Sequence, residues 1–225
     1  MRSIITLALF TMVIMTTGCG GGSDQTESDE QLKQAQALLN ENDLLCREAA
    51  DKLTTIFSRE LKGELMTAMS QGGSVKAIDI CRFKAPKISQ IFSINGVKIG
   101  RVAEKYRNLD NRATLKEIEI LNKFEDTLTA PTYIGEWTRS DTAEVYRYYK
   151  PIYTKPLCLN CHGGLQTLSP GVIDAVRKHY PNDKATGFKV DELRGMFVVE
   201  IEWPLGKDYA EEIRAFELDP PAEGK

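Results

Sequence analysis

Residues 144–162 read EVYRYYKPIYTKPLCLNCH. The first ten of them are aromatic-rich and partly alternating, which predicts a strand, and Lys155-Pro156 ends it. Working downstream, Ser169-Pro170 opens a short helix through Lys178, and residues 193–203 (LRGMFVVEIEW) make a second strong strand. Residues 205–216 predict a terminal helix, and residues 219–225 a frayed tail. Working upstream, residues 114–129 have the spacing of an amphipathic helix, closed by Pro131. Residues 101–113 (RVAEKYRNLDNRA) are polar and rich in loop formers, and Asn95-Gly96 marks a turn before a short strand at 97–100.

Further upstream the chain is helical. Residues 75–92 place Ile78, Cys81, Ala85, Ile88 and Phe92 on one face, with Pro86 expected to kink the helix. Residues 29–70 contain almost no breakers and repeat apolar side chains at helical spacing from Leu32 to Met69. Ser28 is a plausible N-cap, and Gln71-Gly72-Gly73 ends the run. Helices first, then strands mixed with short helices, predict an α+β domain with an antiparallel sheet over residues 29–218.

The first residues concern export. Met1-Arg2 is followed by an apolar run too short to span a bilayer, then by Thr16-Thr17-Gly18-Cys19. Small residues before a cysteine resemble a bacterial lipoprotein signal over residues 1–18, with Cys19 carrying lipid. A standard secretory signal is the other reading. Residues 19–28 (CGGGSDQTES) then read as a flexible tether. The expectation is an exported protein of the bacterial cell envelope, anchored through Cys19 to membrane lipid on the periplasmic face or at the outer membrane.

The chain has 225 residues, a net charge of -3 and 42% hydrophobic residues, which suits one folded domain. That charge argues against a nucleic-acid partner held through phosphates. Five cysteines cannot all pair in disulfides, and two histidines cannot build a His-rich cage.

Cys158-Leu159-Asn160-Cys161-His162 is C-x-x-C-H, the attachment sequence of c-type haem. Two thiols three positions apart can add to the two vinyl groups on one porphyrin edge. The next histidine then supplies an axial nitrogen. A zinc half-site would need a second pair of soft ligands nearby. A thioredoxin-like pair would need a strand before it and a helix after it in a βαβ unit. A plain disulfide across so short a loop is uncommon. For the sixth position the spacing leaves His179, Met66, Met69, Met196, Cys46 and Cys81 open.

Beyond this motif, residues 46–203 resemble the DUF3365, or Tll0287-like, family of c-type haem proteins. The resemblance rests on Gly72-Gly73 with Ala77-Ile78-Asp79-Ile80-Cys81 and Ala85-Pro86, then on Gly100-Arg101 with Arg107-Asn108 and Asn111. It continues through Tyr148, Lys150-Pro151-Ile152 and the segment from Cys158 to Gly163. Tyr180-Pro181-Asn182-Asp183-Lys184-Ala185-Thr186-Gly187-Phe188 and Leu193-Arg194-Gly195 complete it. Val102-Ala103, Leu109 and Ala113 depart from the family's usual residues. The resemblance implies a PAS-like sheet carrying one covalent haem c, with His162 and Cys81 as the axial iron ligands. Arg101 and Arg107 are candidates for pairing with haem propionates, or else solvated loop cations.

A His/thiolate iron is electron-rich, and the thiolate lowers its potential. The expected function is a mono-haem c-type cytochrome, not an enzyme. It would be a low-potential redox centre serving electron transfer, or haem-based redox or gas sensing with ligand switching. Its partners would be an unidentified redox or signalling protein and, for sensing, a small gas ligand. The alternatives are a structural lipoprotein and a C-x-x-C thiol-disulfide redox protein without haem.

Overall fold

The computed structural model describes residues 23–125, 130–140 and 142–218, with side chains from Asp29 onward. The lipoprotein signal, Cys19 and the tail 219–225 lie outside the described residues. By packing, the chain divides into Met1–Asn40 and Glu41–Lys225. In the first unit the described residues are helical, and every residue from Asp29 to Asn40 is exposed.

Helix α1 (Ser23–Phe92) has non-helical backbone at Gly72 and Gly73 alone. Gly73, at φ 66 and ψ -163, lies in a region that essentially only glycine visits. The Gly-Gly pair therefore divides α1 where the sequence predicts. One expectation is corrected. The helix begins at Ser23, so residues 23–28 belong to it and not to a tether; no glycine or proline follows Gly22 until Gly63. Pro86 keeps helical dihedrals, so it costs the Arg82 carbonyl its helical partner without ending the helix.

Four strands form one antiparallel sheet: β1 (Val97–Val102), β2 (Ile134–Arg139), β3 (Glu144–Tyr153) and β4 (Leu193–Trp203), in the order β1-β4-β3-β2. The last strand in sequence is thus an inner one. β3 and β4 have the predicted bounds, whereas β2 is a strand that the sequence reading lacks. On one face Val97, Ile99, Tyr146, Tyr148, Val199 and Ile201 pack against Leu45, Cys46, Ala49, Leu53 and Phe57 of α1. On the other, Tyr149 and Met196 pack against Ile120, Leu121 and Phe124 of α2 (Leu115–Glu125). Each large side chain buried this way contributes about 1.5–3 kcal/mol.

Opposite residues of an antiparallel pair share a face. The row after Tyr148 and Val199 on the α1 face is therefore Arg101–Phe197–Lys150. There the apolar face gives way to charge. Between β3 and β4 run α3 (Leu159–His162) and α4 (Pro170–His179), and α5 (Lys207–Ala215) follows β4. α4 packs Val172 and Val176 on Ile78 of α1, with Cys161 and Tyr180 beside them. Among the described residues no helix is long and apolar enough to cross a membrane.

Candidate haem-attachment site

Thr154 anchors the C-x-x-C-H loop. It is fully buried; its amide donates to the Glu192 carbonyl at 2.9 Å, and its hydroxyl donates to the carbonyls of Lys189 and Glu192. The Asp191 amide donates back to the Thr154 carbonyl at 2.9 Å, so β3 cannot continue and the chain turns. Pro156–Cys158 forms one 3-10 turn, and α3 follows directly. Gly163 ends α3 with its amide 3.0 Å from the Leu159 carbonyl; a Cβ there would lie 2.7 Å from that oxygen. Segment 185–188 docks alongside: the Gly187 amide donates to the Gly163 carbonyl and the Phe188 amide to the His162 carbonyl, both at 2.9 Å.

This docking fixes the imidazole. His162 Nδ1 lies 2.7 Å from the Ala185 carbonyl. A carbonyl only accepts, so Nδ1 carries the proton and Nε2 presents a bare lone pair. Phe188 stands edge-on to the ring, 6.3 Å between centroids. Burial pushes the His162 pKa well below its ordinary value, helped by the charges of Arg194, Arg107 and Arg101 and opposed by the Ala185 bond. A neutral, oriented imidazole is the form that coordinates a metal.

Three guanidinium groups therefore surround this histidine. Arg107 is engaged through two of its nitrogens: Nε donates to Asp183 Oδ1 at 3.0 Å, and Nη2 to the carbonyls of Cys161 at 2.7 Å and Ala185 at 3.2 Å. Asp183 Oδ1 also accepts from the Ala185 amide at 3.1 Å. Arg194 donates from Nη1 to the Lys105 carbonyl at 3.0 Å and lies over the Phe188 ring, while its buried Nε has no partner. Burial, and then the charges of Arg107 and Arg101, lower its pKa to about 10. Arg101 is partly exposed as a residue, but burial of its charged end lowers its pKa, and it makes no hydrogen bond or ion pair among the described residues.

Of the candidates for a sixth ligand, Cys81 is the one brought to this recess. It is half-buried on α1, and its thiol feels Arg101, Cys161 and Arg107. Burial raises its pKa and the two arginines oppose that rise. His179, Met196 and Cys46 are engaged elsewhere. His179 bridges α4 to α1, with Nε2 3.0 Å from Asp79 Oδ1 and Nδ1 2.8 Å from Arg82 Nη1. Met196 is sealed against α2 and Met66 is exposed. Cys46 is sealed in the main core, where burial, and next Asp43, push its thiol up to about 12. Met69 is half-buried on α1. Cys158 and Cys161 are free thiols, partly exposed. Burial raises the Cys161 pKa, opposed by Arg107 and by a hydrogen bond with Ser74 at the start of the post-kink helix.

These groups fit a c-type haem. Two accessible thiols flank an imidazole with a free Nε2, a soft thiol stands in the same recess, and buried cations outnumber their counter-charges. Among the described residues no three His, Cys, Asp or Glu side chains gather into a metal cage, so a zinc half-site lacks its second pair. Two clefts, of about 460 and 340 Å³, lie along α1 near Tyr133 and Phe197 and contain no residue of the loop. Sequence reasoning missed Arg194, Asp183 and the Ala185 carbonyl as parts of this site. Only the charge of Arg194 just before a strongly apolar strand could have pointed to it.

No curated protein matches the chain. Its fold is similar to the crystal structure of the cyanobacterial haem protein Tll0287, with a TM-score of 0.51 and 24% identity over 68% of this chain and 94% of that one. The family model described as Tll0287-like matches residues 24–202, most of the length that carries the sheet, both halves of α1 and the C-x-x-C-H loop, and the chain belongs to the Tll0287-like family.

Proposed function

We propose that this protein is a mono-haem c-type cytochrome of the cell envelope. The observation that carries the reading is the His162 imidazole, held by the Ala185 carbonyl with Nε2 bare, one residue after the second thiol of C-x-x-C. The family and the haem protein of similar fold support it. Cys158 and Cys161 would hold the haem covalently, and His162 and Cys81 would ligate its iron. When bound, the haem supplies one-electron chemistry.

What the chain does is bind and tune. The Ala185 bond orients His162 and raises its basicity. Phe188 walls the imidazole from water. Cys81, as a thiolate, favours the oxidised centre and lowers its potential. As a thiol that can take up a proton and withdraw, it is also a two-state element. The protein is therefore a low-potential redox centre for electron transfer or for haem-based redox or gas sensing, not an enzyme. Its expected partners are a redox or signalling protein and, in sensing, a small gas molecule. Membrane lipid would be reached through Cys19. A thiol-disulfide role fits less well, because the C-x-x-C loop joins two antiparallel strands and not the strand and helix of a βαβ unit.

The test is the visible and near-infrared spectrum of the matured full chain, oxidised and then dithionite-reduced, for wild type and Cys81→Ala. Thiolate bands present in wild type and absent in the variant are expected. Identical spectra would remove Cys81 from the iron, and a chain matured without covalent haem would overturn the reading.

A further inference from the structure

The recess around His162 has a charge imbalance. The charges of Arg101, Arg107 and Arg194 all bear on His162, and Asp183, paired with Arg107, is the carboxylate that bears on Arg194. Asp183 is committed to Arg107, whose Nη2 also donates to the carbonyls of Cys161 and Ala185. Glu64, the other acid felt by Cys81, is paired with Lys84 at 3.0 Å. That leaves Arg101 without a hydrogen bond and Arg194 with a buried, unpartnered Nε. A buried guanidinium nitrogen left unpaired, as in Arg194, is costly, and a second cation whose charge bears on it adds to the cost. Arg101 shares its row with Phe197 at the charged end of the sheet, and Arg194 stands on the next strand, where the β3–β4 register shifts.

We infer that Arg101 and Arg194 form a two-pronged site for a ligand bearing two carboxylates, the pair of propionates on a haem held by this loop, while Arg107 is a strut that braces the loop. This rests on the haem reading above. It reassigns the pair expected from sequence, Arg101 with Arg107, to Arg101 with Arg194. Guanidinium groups suit the task because each can meet a carboxylate through two parallel N–H donors. Arg107 performs a different task. It ties Cys161, Ala185 and Asp183 together, so its removal loosens His162 whatever the ligand.

The experiment uses the full chain with Cys158→Ala and Cys161→Ala, titrated with haem and with haem whose two propionates are methyl esters. The parent is expected to bind haem more tightly than the ester. Arg101→Leu and Arg194→Leu should each weaken haem binding by about tenfold or more while leaving ester binding unchanged. Arg107→Leu should weaken both ligands alike. A second measurement covers failure of the double cysteine variant to fold: melting of the single arginine variants with thiols intact, haem-free and haem-loaded. Arg101→Leu and Arg194→Leu should melt higher than wild type without haem and lower with it. An unchanged preference for haem over ester, or a shift of the same sign in both states, would overturn the arginine assignment. A matured wild-type chain that carries no haem would overturn the underlying reading instead.

Discussion

Phe188 shows how one side chain serves several neighbours. Its ring is nearly fully buried, its edge meets His162, and its face carries Arg194 at 5.3 Å and Lys105 at 5.4 Å. Phe188→Ala should cost about 3–5 kcal/mol in urea unfolding, since it leaves a cavity and strips two cations of their aromatic face. Phe188→Leu keeps the volume and should cost less. Gly195 is a second constrained residue. At φ 157, a Cβ there would press into the Val102 carbonyl of β1. Gly195→Ala should destabilise the fold by about 1–3 kcal/mol through overpacking, and a near-neutral unfolding curve would refute this. The residue scale is also where the sequence was least informative. C-x-x-C-H is a local spacing and was legible. The bond of Arg194 to the Lys105 carbonyl was not, because it joins positions far apart in sequence at a register shift that no local pattern encodes.

At the scale of elements, α1 is fastened to the sheet by a small polar clamp. Asp51 Oδ1 accepts from Tyr148 Oη at 2.6 Å and from Lys150 Nζ at 2.7 Å. Burial works against the Asp51 charge, but these two bonds and the nearby cations outweigh it and hold the carboxyl below its ordinary range. A carboxyl whose folded pKa is depressed contributes stability above its unfolded pKa, and that contribution is lost as pH falls through the folded value. Wild-type melting should therefore fall faster below about pH 4 than that of Asp51→Asn. The difference should be small, because Asp51 is half exposed and its charge is screened. Thr154 fastens the loop in the same way. Thr154→Val keeps the shape and the backbone bond to Glu192 but removes the buried hydroxyl's bonds to the Lys189 and Glu192 carbonyls, and should cost about 0.5–1.5 kcal/mol along with part of the haem loading. β3 and β4 could be read from sequence because long aromatic and β-branched runs permit little else. β2 could not: it is six residues long, with Gly135 and Arg139 interrupting its apolar pattern. Gly135 is required by close packing, since a Cβ would strike the Tyr146 hydroxyl across the hairpin.

At the scale of the molecule, the main core begins at Leu45, within the unit Glu41–Lys225. Removing residues 1–40 should leave the melting temperature and the haem spectrum of the remaining chain nearly unchanged, with a stability change within about 0.5 kcal/mol. A large loss would show that the early turns of α1 support the domain. The overall α+β order was legible from composition and periodicity. The strand order was not, because adjacency in a sheet is set by which edges can be covered, and sequence distance does not reveal it.

The inner position of β4 also bears on how the chain comes together in time. β1 pairs with β4 across roughly a hundred residues, and no strand between them in sequence lies at its side. Pairings that distant close slowly and late. A chain emerging from its N-terminus therefore displays Cys158 and Cys161 before the strand that seals the sheet exists. For the haem proposed above, held through both thiols, that order of events would leave the loop open to attachment. Folding of β4 then brings in Arg194 after the loop has emerged.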